Sequence, residues 1–259
     1  MNWILKIVAS AGIICMSYFI VSKTEAKSKT KNSISVIASY PPVAVLELFT
    51  SEGCSSCPSA DKLLPQLATI DSNIYPLSFH VDYWNRLGWK DPFSSSEFSE
   101  RQRNYSRQLN LESVYTPQLV VNGEYELVGS NRGKTEAAIK TALKENARVQ
   151  LNFDKVTISE NKINFIVHAE GDFKKTELLV ALVQKQVTIK VRAGENSGAT
   201  LSHTNVVRVF SRKTTTDKNE FELRLPENIL QDNWQLVIYA QQKSDLKITG
   251  AVLYTPNEK

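Results

Sequence analysis

Cys54 and Cys57 are separated by two serines in the stretch "LFTSEGCSSCPSADKLL", residues 48–64, and the only other cysteine of the chain is Cys15. A disulfide between them closes a four-residue loop, worth only about 2 kcal/mol by chain entropy against ~4.7 for a loop of 100 residues. A structural staple gains little from such a spacing. Thiol chemistry gains much, because one thiolate can attack a substrate disulfide and the second can then attack the mixed disulfide and release the product. The same spacing also occurs as half of a zinc site. With no third cysteine in the mature chain, a cysteine-rich structural zinc site is disfavoured.

The elements that must hold the pair are a buried strand before it and a helix after it. Val43 to Phe49 is a nearly continuous apolar run, as a central parallel strand covered on both faces requires. Beyond the cysteines, Ala60, Leu63, Leu64, Leu67 and Ala68 recur at helical spacing. Cys54 therefore falls at the strand-to-helix junction, where free amides and the helix dipole lower a thiol pKa. From this position its sulfur is expected to be exposed, with Cys57, one turn on, shielded. Pro58 suits the first helical turn, and Pro65 is expected to kink the helix.

The alternation continues to about Ala147. Ile74 to Val81 reads as a second strand, and Ser94 with Glu97 as a capping box that opens a polar helix to about Leu109. Gln118 to Val121 and Glu124 to Val128 flank Asn122-Gly123, a strong hairpin signal because both turn residues need positive φ. A helix from about Arg132 to Asn146 closes this part. From about Val149 the period becomes two, as in Phe221, Leu223 and Leu225 alternating with Glu222 and Arg224. Further strands are expected at 149–158, 163–168, 176–191, 203–211, 234–241 and 247–254. About seven strands in ~110 residues predict an antiparallel β-sandwich for residues 148–259.

At the N-terminus, Lys6 precedes an apolar run from Ile7 to Val21 that leads to Thr24-Glu25-Ala26, the pattern of a secretory signal cleaved after Ala26. Uncleaved, it is the chain's one expected membrane contact, although its 15 residues fall short of the ~20 of a spanning helix. Residues 1–26 are read as signal, with Cys15 lost in it, and 27–39 as a flexible leader. The protein is expected to be exported, either periplasmic or secreted. The remaining 233 residues carry 29 basic and 26 acidic side chains, a net charge of +3. So mild a charge, with no Gly-rich phosphate loop and no basic stripe, argues against nucleic acid as a partner.

The cysteine pair after a buried strand, together with Thr116-Pro117 before the hairpin, resembles thioredoxin-like proteins over residues 40–147. The resemblance implies a cis Pro117 facing the cysteines as a substrate-binding residue, with Thr116 as its backbone partner. "ELFTSEGCSSCPSADKLL", "FHVDYWNRLGWKDPF", "VYTPQLVVNG" and "GENSGATLSHTNVVR" are similar to the secreted bacterial family labelled domain of unknown function 1223. Against thioredoxin itself, Gly53 replaces the aromatic residue before the first cysteine, and Leu48 replaces the buried acid six residues before it. Glu47 is then the nearest candidate for proton transfer, the alternative being an ordinary strand carboxylate.

His80 and Asp82 end the second strand, where α/β sheets gather ligands. His80 is thus a candidate second proton carrier or metal ligand, against a hydrogen-bonded structural histidine. Tyr83, Trp84, Trp89 and Phe93 either line a groove for a peptide-like substrate, with Trp84 as a substrate-binding residue, or pin the insertion down. His168 reads as structural. His203, with Asn205 and Arg208, reads as a surface facing the cysteines or as a polar network between the halves. The expected function is an exported thiol–disulfide oxidoreductase acting on protein or peptide thiols, with Cys54 attacking, Cys57 resolving, no dissociable cofactor and no metal. Two alternatives stay open: a copper- or zinc-binding module using Cys54, Cys57 and His80, and a non-catalytic cell-surface binding protein.

Overall fold

The computed structural model describes residues 39–230 and 232–256. The expected signal, and all of the expected leader but residue 39, therefore lie outside the described residues. Eleven strands and three helices follow one another in these residues, with a 3-10 turn at Asn85–Leu87.

β1 (Ala44–Thr50) runs parallel to β2 (Ile74–His80), joined by α1 (Pro58–Leu67), and every residue of β1 is buried. α2 (Ser96–Gln108) follows, then β3 (Gln118–Val121) antiparallel to β1, β4 (Tyr125–Val128) antiparallel to β3, and α3 (Arg132–Ala142). The hairpin turn has Asn122 at φ 49° and Gly123 at φ 73°. A Cβ on Gly123 would lie 2.1 Å from the Leu246 carbonyl oxygen, so only glycine fits.

The seven expected C-terminal strands are β5 (Val149–Ser159), β6 (Lys162–Gly171), β7 (Thr176–Lys190), β8 (Thr200–Thr214), β9 (Lys218–Arg224), β10 (Trp234–Gln242) and β11 (Ile248–Tyr254). Their assembly differs from a free-standing sandwich. Strands β11, β10, β7 and β8 continue into β2, β1, β3 and β4 as one eight-stranded mixed sheet, while β5, β6 and β9 form a small antiparallel sheet. The two halves of the large sheet meet where β8 runs parallel to β2 at Ser78 and Val206.

Alternation of side chains across the sheet assigns the layers. Ala44, Leu46 and Leu48 of β1 pack with Leu63, Leu64 and Leu67 of α1 and Ile139 of α3. Leu178, Val180 and Leu182 of β7 and Leu236 and Ile238 of β10 pack against Ile163, Phe165 and Val167 of the small sheet. A further core unites both halves beneath α2, from Val45 and Phe49 through Phe79 and Phe98 to Val207 and Tyr239.

Two helix limits differ from expectation. The cap of α2 is Ser95, whose hydroxyl accepts from the Glu97 amide, whereas Ser94 donates to the Asp91 carbonyl and receives Asn85. α3 ends at Ala142, with Leu143 as its C-cap and Asn146 beyond it.

Candidate functional site

β1 delivers the chain to a tight turn in which the Cys57 amide donates to the Cys54 carbonyl. The helix starts only at Pro58, with Cys57 as its N-cap, so Cys57 and not Cys54 lies nearest the helix end. The two sulfurs are joined in a disulfide. Both cysteines are 0 % exposed, against the expectation of an exposed Cys54 sulfur.

Three groups cover them. Cys54 Sγ lies 3.8 Å from the Thr116 carbonyl oxygen, a van der Waals contact because a disulfide sulfur has no hydrogen, and 3.3 Å from Ser56 Oγ, whose hydroxyl is the donor there. The Thr116–Pro117 bond is cis, as the resemblance implied. Pro117 itself is buried and its carbonyl accepts from the Gly129 amide, so the backbone facing the cysteines is that of Thr116. Trp84 Nε1 donates to Thr116 Oγ1 at 2.8 Å. A Cβ on Gly53 would meet Trp84 Cβ at 3.1 Å, so the insertion's tryptophan crowds the position next to the first cysteine. The third cover comes from the β7–β8 connection: Glu195 Oε2 accepts from the Ser55 amide and hydroxyl, and Asn196 Nδ2 donates to the carbonyls of Glu52 and Cys54.

Beside the disulfide lies a cluster of buried ionisable groups. Asp61, four residues after Cys57 on α1, shares its helix face. It accepts from Thr50 Oγ1 at 2.9 Å and faces His203 Nδ1 at 3.5 Å. His203 Nε2 lies 3.5 Å from Glu52 Oε1, while the other Glu52 oxygen accepts from Trp89 Nε1 at 2.7 Å. Both His203 contacts are long for hydrogen bonds, so the two ring nitrogens and Glu52 Oε1 are buried with ionic neighbours only. Burial opposes a charge on His203, but Asp61 and Glu52 outweigh it and push its pKa up to about 9. His80 stacks edge-on against His203 with ring centres 4.8 Å apart, and its Nδ1 meets Asp91 Oδ2 at 2.7 Å. Burial raises the Asp91 pKa, yet His80 and the amides of Glu52 and Phe93 bring it below the usual range. Asp91 is thus an ionised acceptor and His80 Nδ1–H the donor.

The other residues singled out in the sequence fall elsewhere. Glu47 is on the opposite sheet face from α1 and the cysteines, because its neighbours Leu46 and Leu48 take the α1 side. It is held by Arg101 at 2.6 and 3.0 Å and also accepts from Tyr239. It forms a buried ion pair with Arg101, one of the two readings its position allowed. Asp82 accepts from Ser99, and Tyr83 donates to Gln102. Phe93 packs against His80 and lies under the Arg208 guanidinium. Asn205 accepts from Gln235, and His168 is half-exposed beside Asp154. Among the described residues no group of three or more His, Cys, Asp and Glu side chains is arranged to hold a metal ion. With His80 turned to Asp91, the metal reading of Cys54, Cys57 and His80 finds no support.

Glu52, Asp61, Asp91, Glu195 and Asn196 were missed as site residues. Signals for some were present: Asp61 interrupts the apolar stripe of α1, and "GENSG" holds Glu195 and Asn196.

No curated protein sequence matches the chain significantly. The crystal structure of protein AtR35 from Agrobacterium tumefaciens is 27 % identical, covers 86 % of this chain and 98 % of its own, and has a TM-score of 0.61. HBP35 of Porphyromonas gingivalis, 15 % identical, covers 85 % of this chain and 77 % of its own with a TM-score of 0.63, a likeness of fold alone. The model of the family described as protein of unknown function DUF1223 matches residues 45–241, and the chain belongs to that family.

Proposed function

We propose that the protein is an exported thiol–disulfide oxidoreductase acting on protein or peptide thiols, with a thioredoxin-like part at 40–147 joined through the common sheet to a sandwich-like part at 148–259. The observation that carries this reading is the Cys54–Cys57 disulfide between the end of a buried parallel strand and a helix, lying against the backbone of Thr116. A substrate thiolate attacks Cys54, whose sulfur lies on the Thr116 edge, and the electron pair of the broken S–S bond leaves on Cys57. A second substrate thiolate then displaces Cys54 from the mixed disulfide; run in reverse, the same steps reduce a substrate disulfide. The Thr116 backbone offers an extended substrate an edge to pair with. Trp84 fixes that edge through Thr116 Oγ1. No dissociable cofactor enters these steps.

The test is trapping. In Cys57→Ser the attack on a substrate disulfide proceeds and resolution does not, so mixed disulfides with exported partners accumulate on non-reducing gels. In Cys54→Ser they do not. Equal trapping by both variants would refute the assigned roles, and no trapping by either would favour the binding-protein reading.

A further inference from the structure

The loop that covers the disulfide from the C-terminal half has features of a gate. Both cysteines are fully buried, yet no residue of the loop is: Arg192, Glu195, Ser197 and Gly198 are exposed, and Ala193, Gly194 and Asn196 are half-buried. It is a closed turn of its own, with Gly198 N–H on the Val191 carbonyl, Val191 N–H on the Ala199 carbonyl and Ser197 N–H on the Gly194 carbonyl. Gly194 and Gly198, at φ 74° and 85°, bracket it. Its hold on the cysteine turn consists of four polar hydrogen bonds from two side chains: Glu195 on Ser55 N–H at 3.0 Å and Ser55 Oγ–H at 2.7 Å, and Asn196 on the Glu52 and Cys54 carbonyls at 2.8 and 2.9 Å. Such bonds at the surface are individually weak, because water competes for every donor and acceptor.

The latch has a specific chemistry. Among the described residues no Lys, Arg or His forms an ion pair with Glu195, whose charge rests on the two Ser55 donors. These same bonds lower the Glu195 pKa. Ser55, adjacent to Cys54, is therefore a two-donor seat for a carboxylate that the chain fills with its own.

We propose that the Arg192–Gly198 loop gates the disulfide, and that the substrate opens it by placing a carboxylate of its own, an acidic side chain or a C-terminus next to the reacting cysteine, on Ser55 in place of Glu195. This deepens the oxidoreductase reading by naming its substrate class: peptides with an acidic group beside the cysteine.

The gate is tested on the oxidised protein by measuring the rate of disulfide opening with dithiothreitol and with two short peptides amidated at their C-termini, one reading Cys-Glu and its neutral twin Cys-Gln. Wild type opens faster with Cys-Glu than with Cys-Gln, by on the order of tenfold, since a charge-assisted hydrogen bond replaces a neutral one. Glu195→Ala, a surface change, speeds opening by neutral dithiothreitol, and Ser55→Ala narrows the Cys-Glu preference. Equal peptide rates in wild type would overturn the carboxylate seat, and a dithiothreitol rate unchanged in both Glu195→Ala and Asn196→Ala would overturn the gate. Because small thiols are the probe, these results stand apart from partner trapping. A protein that traps no partner yet shows the gate would lose the oxidoreductase reading alone.

Discussion

Two clusters of buried charge link the halves of this molecule, and they are built on opposite terms. In the first, Arg101 of α2 grips Glu47 of β1 with both Nη2 contacts, reaches Tyr105 and Gln241, and is ringed by Phe79, Tyr105, Phe210 and Tyr239 within 5.8 Å. Tyr239 in turn donates to Glu47. Its side-chain polar atoms all find partners. In the second cluster, Glu52 Oε1, His80 Nε2 and both ring nitrogens of His203 are buried without a hydrogen bond. A buried polar atom without a hydrogen bond costs about 1 to 3 kcal/mol, and here the ionic neighbours Asp61 and Glu52 offset that cost at His203. The closed cluster lies on the sheet face away from the cysteines; the open one adjoins them through Asp61 and Glu52. Partner satisfaction, more than charge or burial, separates the two clusters.

The contrast can be broken at either cluster. The largest effect is expected from Arg101→Met, which leaves Glu47 buried and uncompensated and costs about 3 to 5 kcal/mol of unfolding free energy in urea. The protein that remains folded should react with dithiothreitol at the wild-type rate; a changed rate would tie the closed cluster to the redox site.

His203→Gln comes next, and its effect depends on pH. The fold holds the His203 proton more tightly than the unfolded chain does, with a pKa of about 9 against an ordinary 6.5. The stabilisation is therefore complete below about 6.5 and lost as pH rises through about 9, amounting to about 3 kcal/mol. Wild type should lose stability over that window and His203→Gln should not. Parallel pH curves for the two would remove the ion-paired imidazolium from the account.

The smallest expected effect is that of Tyr239→Phe, which deletes one hydrogen bond to a charged acceptor and costs about 1.5 to 3 kcal/mol at every pH from 6 to 9. A pH-dependent loss there would blur the distinction between the clusters.

How much of this was legible beforehand follows from the range of each signal. Short-range patterns carried far: the Asn122-Gly123 hairpin, the seven period-two strands and the strand, cysteine turn and helix around residues 44–67 all stand where the residues placed them. The join between the halves was not legible, because one bridge from Ser78 to Val206 leaves no periodic trace in either strand. Glu47 misled for a related reason: a strand buried on both faces hides its alternation, so an inward carboxylate looked near the cysteines when it faces α2. His80 ends its strand as the sequence placed it, yet its Asp91 partner and the His203 ring come from segments 11 and 123 residues away, as their numbers show. The covering of Cys54 was hidden likewise, since Glu195 reaches Ser55 across 140 residues.

The central claim, that Cys54 and Cys57 exchange electrons with thiols and do not merely staple a turn, is tested most directly by the equilibrium reduction potential of the pair in glutathione buffers. A redox-active pair has a potential above about −300 mV, within reach of biological thiols, and this account predicts such a value; a potential below about −300 mV would mark an inert structural disulfide and contradict it.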